Sequence, residues 1–143
     1  MLHDKKLFLK KLKPFFNDYA EIRGQLIFIL DRSKILECLS FLKNDKDLKF
    51  NMLHDLTCNQ KAKGLEVVYQ LHSVDNSYWV TLKSLIPFES LVAPSATSVF
   101  IAADWHEREA FDMFGIKFND HPDLRRILLP DDWEGHPLKK EYP

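Results

Sequence analysis

Cysteine, glycine, long apolar runs and a surplus of either charge are all scarce in this chain, and each scarcity closes off a class of protein. Two cysteines, Cys38 and Cys58, cannot staple a secreted disulfide scaffold or supply a four-cysteine zinc or iron–sulfur site. So few cysteines fit a reducing compartment. Four glycines leave no glycine-rich phosphate loop, and no Gly-x-Ser-x-Gly elbow occurs. No apolar run approaches the roughly 20 residues a membrane helix needs. The start, Met1-Leu2-His3-Asp4-Lys5-Lys6, has charge with no apolar block behind it, unlike a signal peptide. Lys plus Arg number 20 and Asp plus Glu 21, whereas a dedicated nucleic-acid binder needs a basic excess.

What remains is a globular composition, 45% hydrophobic and 29% charged. Its 143 residues suit one domain that buries roughly two-thirds of its unfolded surface. The expectation is a soluble, cytosolic chain that can still dock on a membrane complex.

Leu2, Leu9, Leu12 and Phe16, with Phe8 and Phe15 nearby, predict an amphipathic helix over 4–16. Its lysines (Lys5, Lys6, Lys10, Lys11, Lys13) read most simply as a solvated face. Tyr19–Arg23 and Gln25–Leu30 flank Gly24 as a hairpin. Asp31 offers an N-cap to a helix over about 32–43, with Ile35, Leu39 and Leu42 on one stripe. Strands come next at about 48–57, 65–72 and 77–85. Leu65, Val67, Tyr69 and Leu71 alternate with Glu66, Gln70 and His72, and Tyr78, Val80 and Leu82 share a face. Residues 96–114 read as a helix, with a break near Asp104, a loose Asp104–Glu107 capping box and Gly115 at its end.

The predicted class is α+β: a two-layer sandwich, one mixed sheet of about five strands with helices on one face, in α-β-β-α-β-β-β-α order. Residues 1–118 form the core domain and 119–143 an extended irregular tail. Four of the seven prolines fall in that tail, yet Leu124, Ile127, Leu128, Leu129, Trp133 and Leu138 make it too apolar to be left in water. It reads as a segment that lies on another protein.

Catalytic signals are weak. His106-Glu107-Arg108-Glu109 lacks the second histidine of the helical zinc motif, since Ala110 stands there. A free-standing hydrolase would have to gather His106, Glu109 and His121 around a metal. Glu107 and Glu109 point apart on a helix, and Arg108 with Asp112 at i,i+4 reads as an intrahelical ion pair. Cys58 reads as a buried structural thiol. Arg125 and Arg126 bring forked donors, and Trp133 is a typical interface anchor. The residues alone therefore indicate an interaction protein: a small α+β domain with a docking tail.

The stretch Trp105-His106-Glu107-Arg108-Glu109-Ala110-Phe111-Asp112-Met113-Phe114-Gly115-Ile116, continued by His121-Pro122-Asp123-Leu124-Arg125-Arg126-Ile127-Leu128 and by Asp131 to Pro143, carries a family pattern. It resembles the signature of the C subunit (the 30-kDa subunit family) of proton-pumping NADH–quinone oxidoreductase, respiratory complex I. The likeness is nearly contiguous over about 39 residues, with Lys139 and Glu141 where many members carry Arg and Asp. Some members run on beyond the Tyr-Pro that ends this sequence. Phe50 to Cys58 resembles the family's central strand.

The resemblance implies a non-catalytic subunit of the peripheral arm, bracing the quinone-reducing module while electrons pass from NADH to quinone and protons are translocated. It implies no cofactor in this chain, with FMN and iron–sulfur clusters in partner subunits. The implied partners are the D subunit, of the 49-kDa type, and the iron–sulfur subunits B and I, with no nucleic acid. The implied place is peripheral, on the cytoplasmic side of a bacterial inner membrane. Glu107, Arg108, Glu109, Asp112, His121, Arg125, Arg126 and Trp133 are the implied interface residues. The same domain in a membrane-bound hydrogenase or a plastid or cyanobacterial complex is the nearest alternative.

Overall fold

The computed structural model describes residues 4–139. Helix α1 runs Lys5–Leu12 and buries Phe8 and Leu12, one turn apart. It is shorter than the predicted 4–16 because Pro14 comes at once, and proline cannot continue a helix. The expected stripe is corrected accordingly: Phe16 lies in the next strand, and Leu2 falls outside the described residues.

Strands β1 (Phe16–Ile22) and β2 (Gln25–Leu30) form the expected hairpin. Its loop is Arg23-Gly24, with φ of 53° and 79°, the double left-handed turn whose twist suits a hairpin. Asp31 caps the next segment, accepting from the Ser33 N–H at 3.0 Å. A short 3₁₀ turn at Arg32–Lys34 leads into α2 (Ile35–Asn44), which buries Ile35, Cys38, Leu39 and Leu42.

Strand β3 spans Met52–Gln60, displaced from the predicted 48–57. Leu48 and Phe50 are fully buried but belong to the turn after α2 and the irregular stretch leaving it, where the Leu48 and Lys49 N–H groups donate to the Asp45 carbonyl and the Phe50 N–H to that of Leu42. Their two-residue spacing mimics strand alternation. Strands β4 (Gly64–Ser73) and β5 (Tyr78–Pro87) complete a sheet of order β1-β2-β5-β4-β3. The β2–β5 pair is parallel and the others antiparallel, so the sheet is mixed. β3 is thus an edge strand and not a central one.

The inward stripes Leu26–Phe28–Leu30, Leu65–Val67–Tyr69–Leu71 and Val80–Leu82 join the buried faces of α1 and α2 in one core. The opposite face carries Glu66 and Lys83, 3.7 Å apart, and His72 stacked on Trp79.

After the sheet the chain makes a smaller parallel unit. Strand β6 (Val92–Pro94), helix α3 (Ala103–Phe114) and β7 (Lys117–Asn119) form a β-α-β turn, with α3 packed on β3. Helix α3 is shorter than the predicted 96–114, because 96–102 are successive turns closed by Phe100 N–H to Ala96 O and Ala103 N–H to Phe100 O. β6 and β7 escape prediction because three residues are too few to show a period. Gly115 ends α3 as expected, at φ 82° with its N–H on the Phe111 carbonyl.

Candidate functional site

The predicted site residues fall on α3 and on the segment after β7. One side of α3 meets the core through Ala103, Glu107 and Ala110. The chain leaves β7, returns to the start of α3 and runs along the helix toward its end as a strap. Contacts mark the path in order. His121 Nε2 lies 3.0 Å from the Asp104 carboxylate and 3.1 Å from its carbonyl. Arg108 donates to the carbonyls of Arg125 and Arg126, both at 3.2 Å. His136 Nδ1 reaches the Asp112 carbonyl at 2.9 Å, and the Leu138 N–H reaches the Met113 carbonyl.

Asp112 is the latch of this strap. Its side chain is 0% exposed although it lies on the side of α3 away from the core, because the strap covers it. Oδ1 accepts from Arg126 Nη1 at 2.6 Å. Oδ2 accepts from the N–H groups of Ile127, Leu128 and Leu129 at 3.1, 2.8 and 3.0 Å. Burial alone raises this carboxyl's pKa, but the guanidinium and the three amides outweigh it and leave it below the ordinary value. Arg126 is satisfied as well, with Nη2 on the Gly135 carbonyl at 2.8 Å. The expected intrahelical Arg108–Asp112 pair is therefore not formed; each residue spends its charge on the strap.

Glu107 is also buried, at 0% exposure, and holds α3 to the turn after β6. Its oxygens accept from Ser95 Oγ at 2.6 Å and the Ala96 N–H at 2.7 Å. The expected capping box is corrected here, because the carboxylate reaches back to residues 95 and 96 and not to its own helix start. Burial lifts its pKa to about 6 against those two donors. His121 accepts from the Asp123 N–H through Nδ1 at 3.0 Å, which places the neutral ring's proton on Nε2, facing Asp104.

Glu109 and Trp133 are exposed, and Arg125 is paired at the surface with Asp123 at 2.8 Å. The ligands of the metal-hydrolase reading are separated: His106 faces Asp55 at 3.5 Å while His121 faces Asp104. Among the described residues no three His, Cys, Asp or Glu side chains converge on a metal position. A groove of about 230 Å³ between β3 and α3 is lined by Cys58, His106, Glu109, Met113 and Leu138. Its thiol is pushed up to about 12 by burial, an inert state.

Residue-by-residue reasoning missed Ser95, Gly115 and His136 as parts of this arrangement. A Cβ at Gly115 would stand 2.8 Å from the His136 ring, so the glycine serves the strap as well as the helix end. No local pattern announces such pairings, since His136 and Asp112 are 24 positions apart.

Fold and site thus define a small α+β domain whose C-terminal segment is strapped to α3 by internal charge pairs. The family model described as "Respiratory-chain NADH dehydrogenase, 30 Kd subunit" matches residues 28–143, and the chain belongs to that family. Relatives named as the C subunit of NADH-quinone oxidoreductase are similar over most of the chain. The protein of Trichlorobacter lovleyi is 45% identical over 137 residues, 93% of this chain and 83% of the relative. That of Roseiflexus sp. is 44% identical, covering 87% and 73%. That of Salinispora arenicola is 42% identical over 94% of this chain, which spans 58% of that relative's length. Among solved structures, a trypsin-resistant fragment of Nqo5 superposes at TM-score 0.69 and 26% identity, over 87% of this chain and all of the fragment. A chain of an archaeal membrane-bound sulfane sulfur reductase shares the fold at TM-score 0.77 and 22% identity, over 91% of this chain and 78% of its own.

Proposed function

We propose that this chain is a non-catalytic subunit of the peripheral arm of NADH–quinone oxidoreductase, bracing the quinone-reducing module. In this reading FMN and iron–sulfur clusters belong to partner subunits. The strap docks on the 49-kDa-type D subunit, with iron–sulfur subunits B and I adjacent. The assembly holds the chain on the cytoplasmic side of the bacterial inner membrane; among the described residues no helix is long and apolar enough to cross it.

One observation carries the reading. The strap is bound to α3 by buried charge, yet turns Leu128, Trp133 and Leu138 outward at 57, 43 and 55% exposure. A segment fixed in place at such electrostatic cost while displaying apolar side chains is organised for a partner. Arg126, Asp112 and Glu107 act here as positioning residues. Arg125, Glu109 and Trp133 are the ones exposed for contact, and residues 119–143 are the docking unit on a 1–118 core.

The test is tagged co-purification from native membranes in mild detergent, with partners identified by mass spectrometry. Recovery at equal stoichiometry with the 49-kDa-type and iron–sulfur subunits is expected. Recovery with hydrogenase subunits would move the same role to another assembly, and a partner-free monomer would overturn it.

A further inference from the structure

The groove between β3 and α3 has three walls, and the strap is one of them. Leu56 comes from β3, Ala110, Met113 and Phe114 from α3, and Leu138 from the strap. The Leu138 N–H on the Met113 carbonyl pins that third wall in place. At about 230 Å³ the groove falls below the roughly 300–1,000 Å³ of a small-molecule pocket, so its size suits a single side chain. His106 and Glu109, about one helical turn apart, add polar groups to this apolar lining.

Those two groups differ in what they have left to offer. His106 already faces Asp55 at 3.5 Å. Glu109 is exposed and, among the described residues, makes no ion pair and no hydrogen bond. An apolar slot edged by an unpaired carboxylate is the complement of a lysine or arginine side chain, whose stem is apolar and whose head is cationic. A neutral apolar side chain fits less well, because seating it would desolvate the carboxylate and give it no partner.

We infer that the groove receives a lysine or arginine of the same partner the strap engages, with the stem against Leu56, Met113 and Leu138 and the head on the Glu109 carboxylate. This rests on the interface reading above and gives Glu109 a counterpart of stated charge. Leu138 is at once strap and groove wall, so the slot is continuous with the outward side of the strap.

Two substitutions in the full-length chain test it. Glu109→Gln keeps the side chain's shape and removes its charge, and Thr57→Trp fills the slot from an exposed lining position on β3. Each should lower recovery of assembled complex from native membranes about tenfold, the scale of an interface anchor, and leave the free chain's melting temperature unchanged. In the wild type, carbodiimide with an added amine should label the Glu109 carboxyl readily in the free chain and at least about tenfold more slowly in the purified oxidoreductase, where the partner excludes water. Glu109→Gln recovered like the wild type overturns the cationic occupant, and Thr57→Trp recovered like the wild type overturns the filled slot. Equal labelling rates in chain and complex overturn both parts. So does labelling that slows in the free chain as its own concentration rises, which would make a second copy the occupant. Recovery lost only in step with the melting temperature in both variants would assign the two side chains to the fold and overturn it as well. Leu128→Asp separates the two ideas: if it abolishes assembly while both groove variants assemble normally, the slot falls and the strap interface stands. A chain recovered with no oxidoreductase partner overturns both.

Discussion

The sheet core and the strapped helix solve the same problem, holding chain in place, with opposite chemistry. On the sheet, Phe28, Leu65, Val67, Leu71 and Leu82 are 0% exposed and exchange only dispersion and hydrophobic contact. On the outer side of α3, the strap is held by one carboxylate with four donors and one guanidinium with three acceptor positions. The first kind of bonding is non-directional and tolerates adjustment. The second fixes geometry to tenths of an ångström, and removing one member strands the others. A domain that must fold alone needs the first; a segment that must present a defined face gains from the second.

The sharpest way to break the comparison is from the core side. Phe28→Ala removes a buried ring that packs on Phe16 and should cost about 3–5 kcal/mol. A urea titration should show one transition, with sheet and helices lost together.

Asp112→Ala attacks the other side. It takes the carboxylate partner from Arg126, which keeps only two backbone carbonyls, and the acceptor from three amides, at a cost of about 2 kcal/mol or more in local opening. Hydrogen exchange at Ile127, Leu128 and Leu129 should speed up by roughly 30-fold while β4 amides stay protected. Equal loss of protection in both places would show that strap and core form one cooperative unit.

The two buried carboxyls of α3, one facing the core and one under the strap, respond to pH in opposite directions. Glu107 has its pKa raised from 4.5 to about 6, so the folded state holds that proton more tightly than the unfolded chain. Its contribution is complete below the unfolded value and is lost as pH rises through the folded one. Stability should therefore fall by up to about 2 kcal/mol between pH 4.5 and about 6. Asp112 has a lowered pKa, so its contribution is present above 3.8 and is lost as pH falls below it. The groups facing Glu107 are Asp104, His121 and Tyr69. Denaturation of Glu107→Gln across pH 4–7 should lack the falling segment; a slope that persists would show that Glu107 is not its source.

Much of the first region could be read from residue order. Alternation in β4 and β5, the Ile35–Leu39–Leu42 stripe of α2 and the hairpin at Gly24 are local periods set by backbone geometry. They survive because each buried face is continuous along its own element. Where local pattern misled, a tertiary contact had imitated it: Leu48 and Phe50 are spaced like a strand but are buried in the connection between α2 and β3.

Residue order thus determined the α+β class, the mixed sheet with helices on one face, the glycine that ends α3 and, through the stretch from Trp105 to Leu128, the family. Tertiary structure alone decided that Asp112 pairs with Arg126 and not Arg108, that Glu107 serves Ser95 and Ala96, and that β6 pairs with β7. The physical reason is range. Periodicity reports which side of an element is apolar, whereas a buried charge is satisfied by whichever donor the folded chain brings within about 3 Å, and sequence spacing carries no record of that distance.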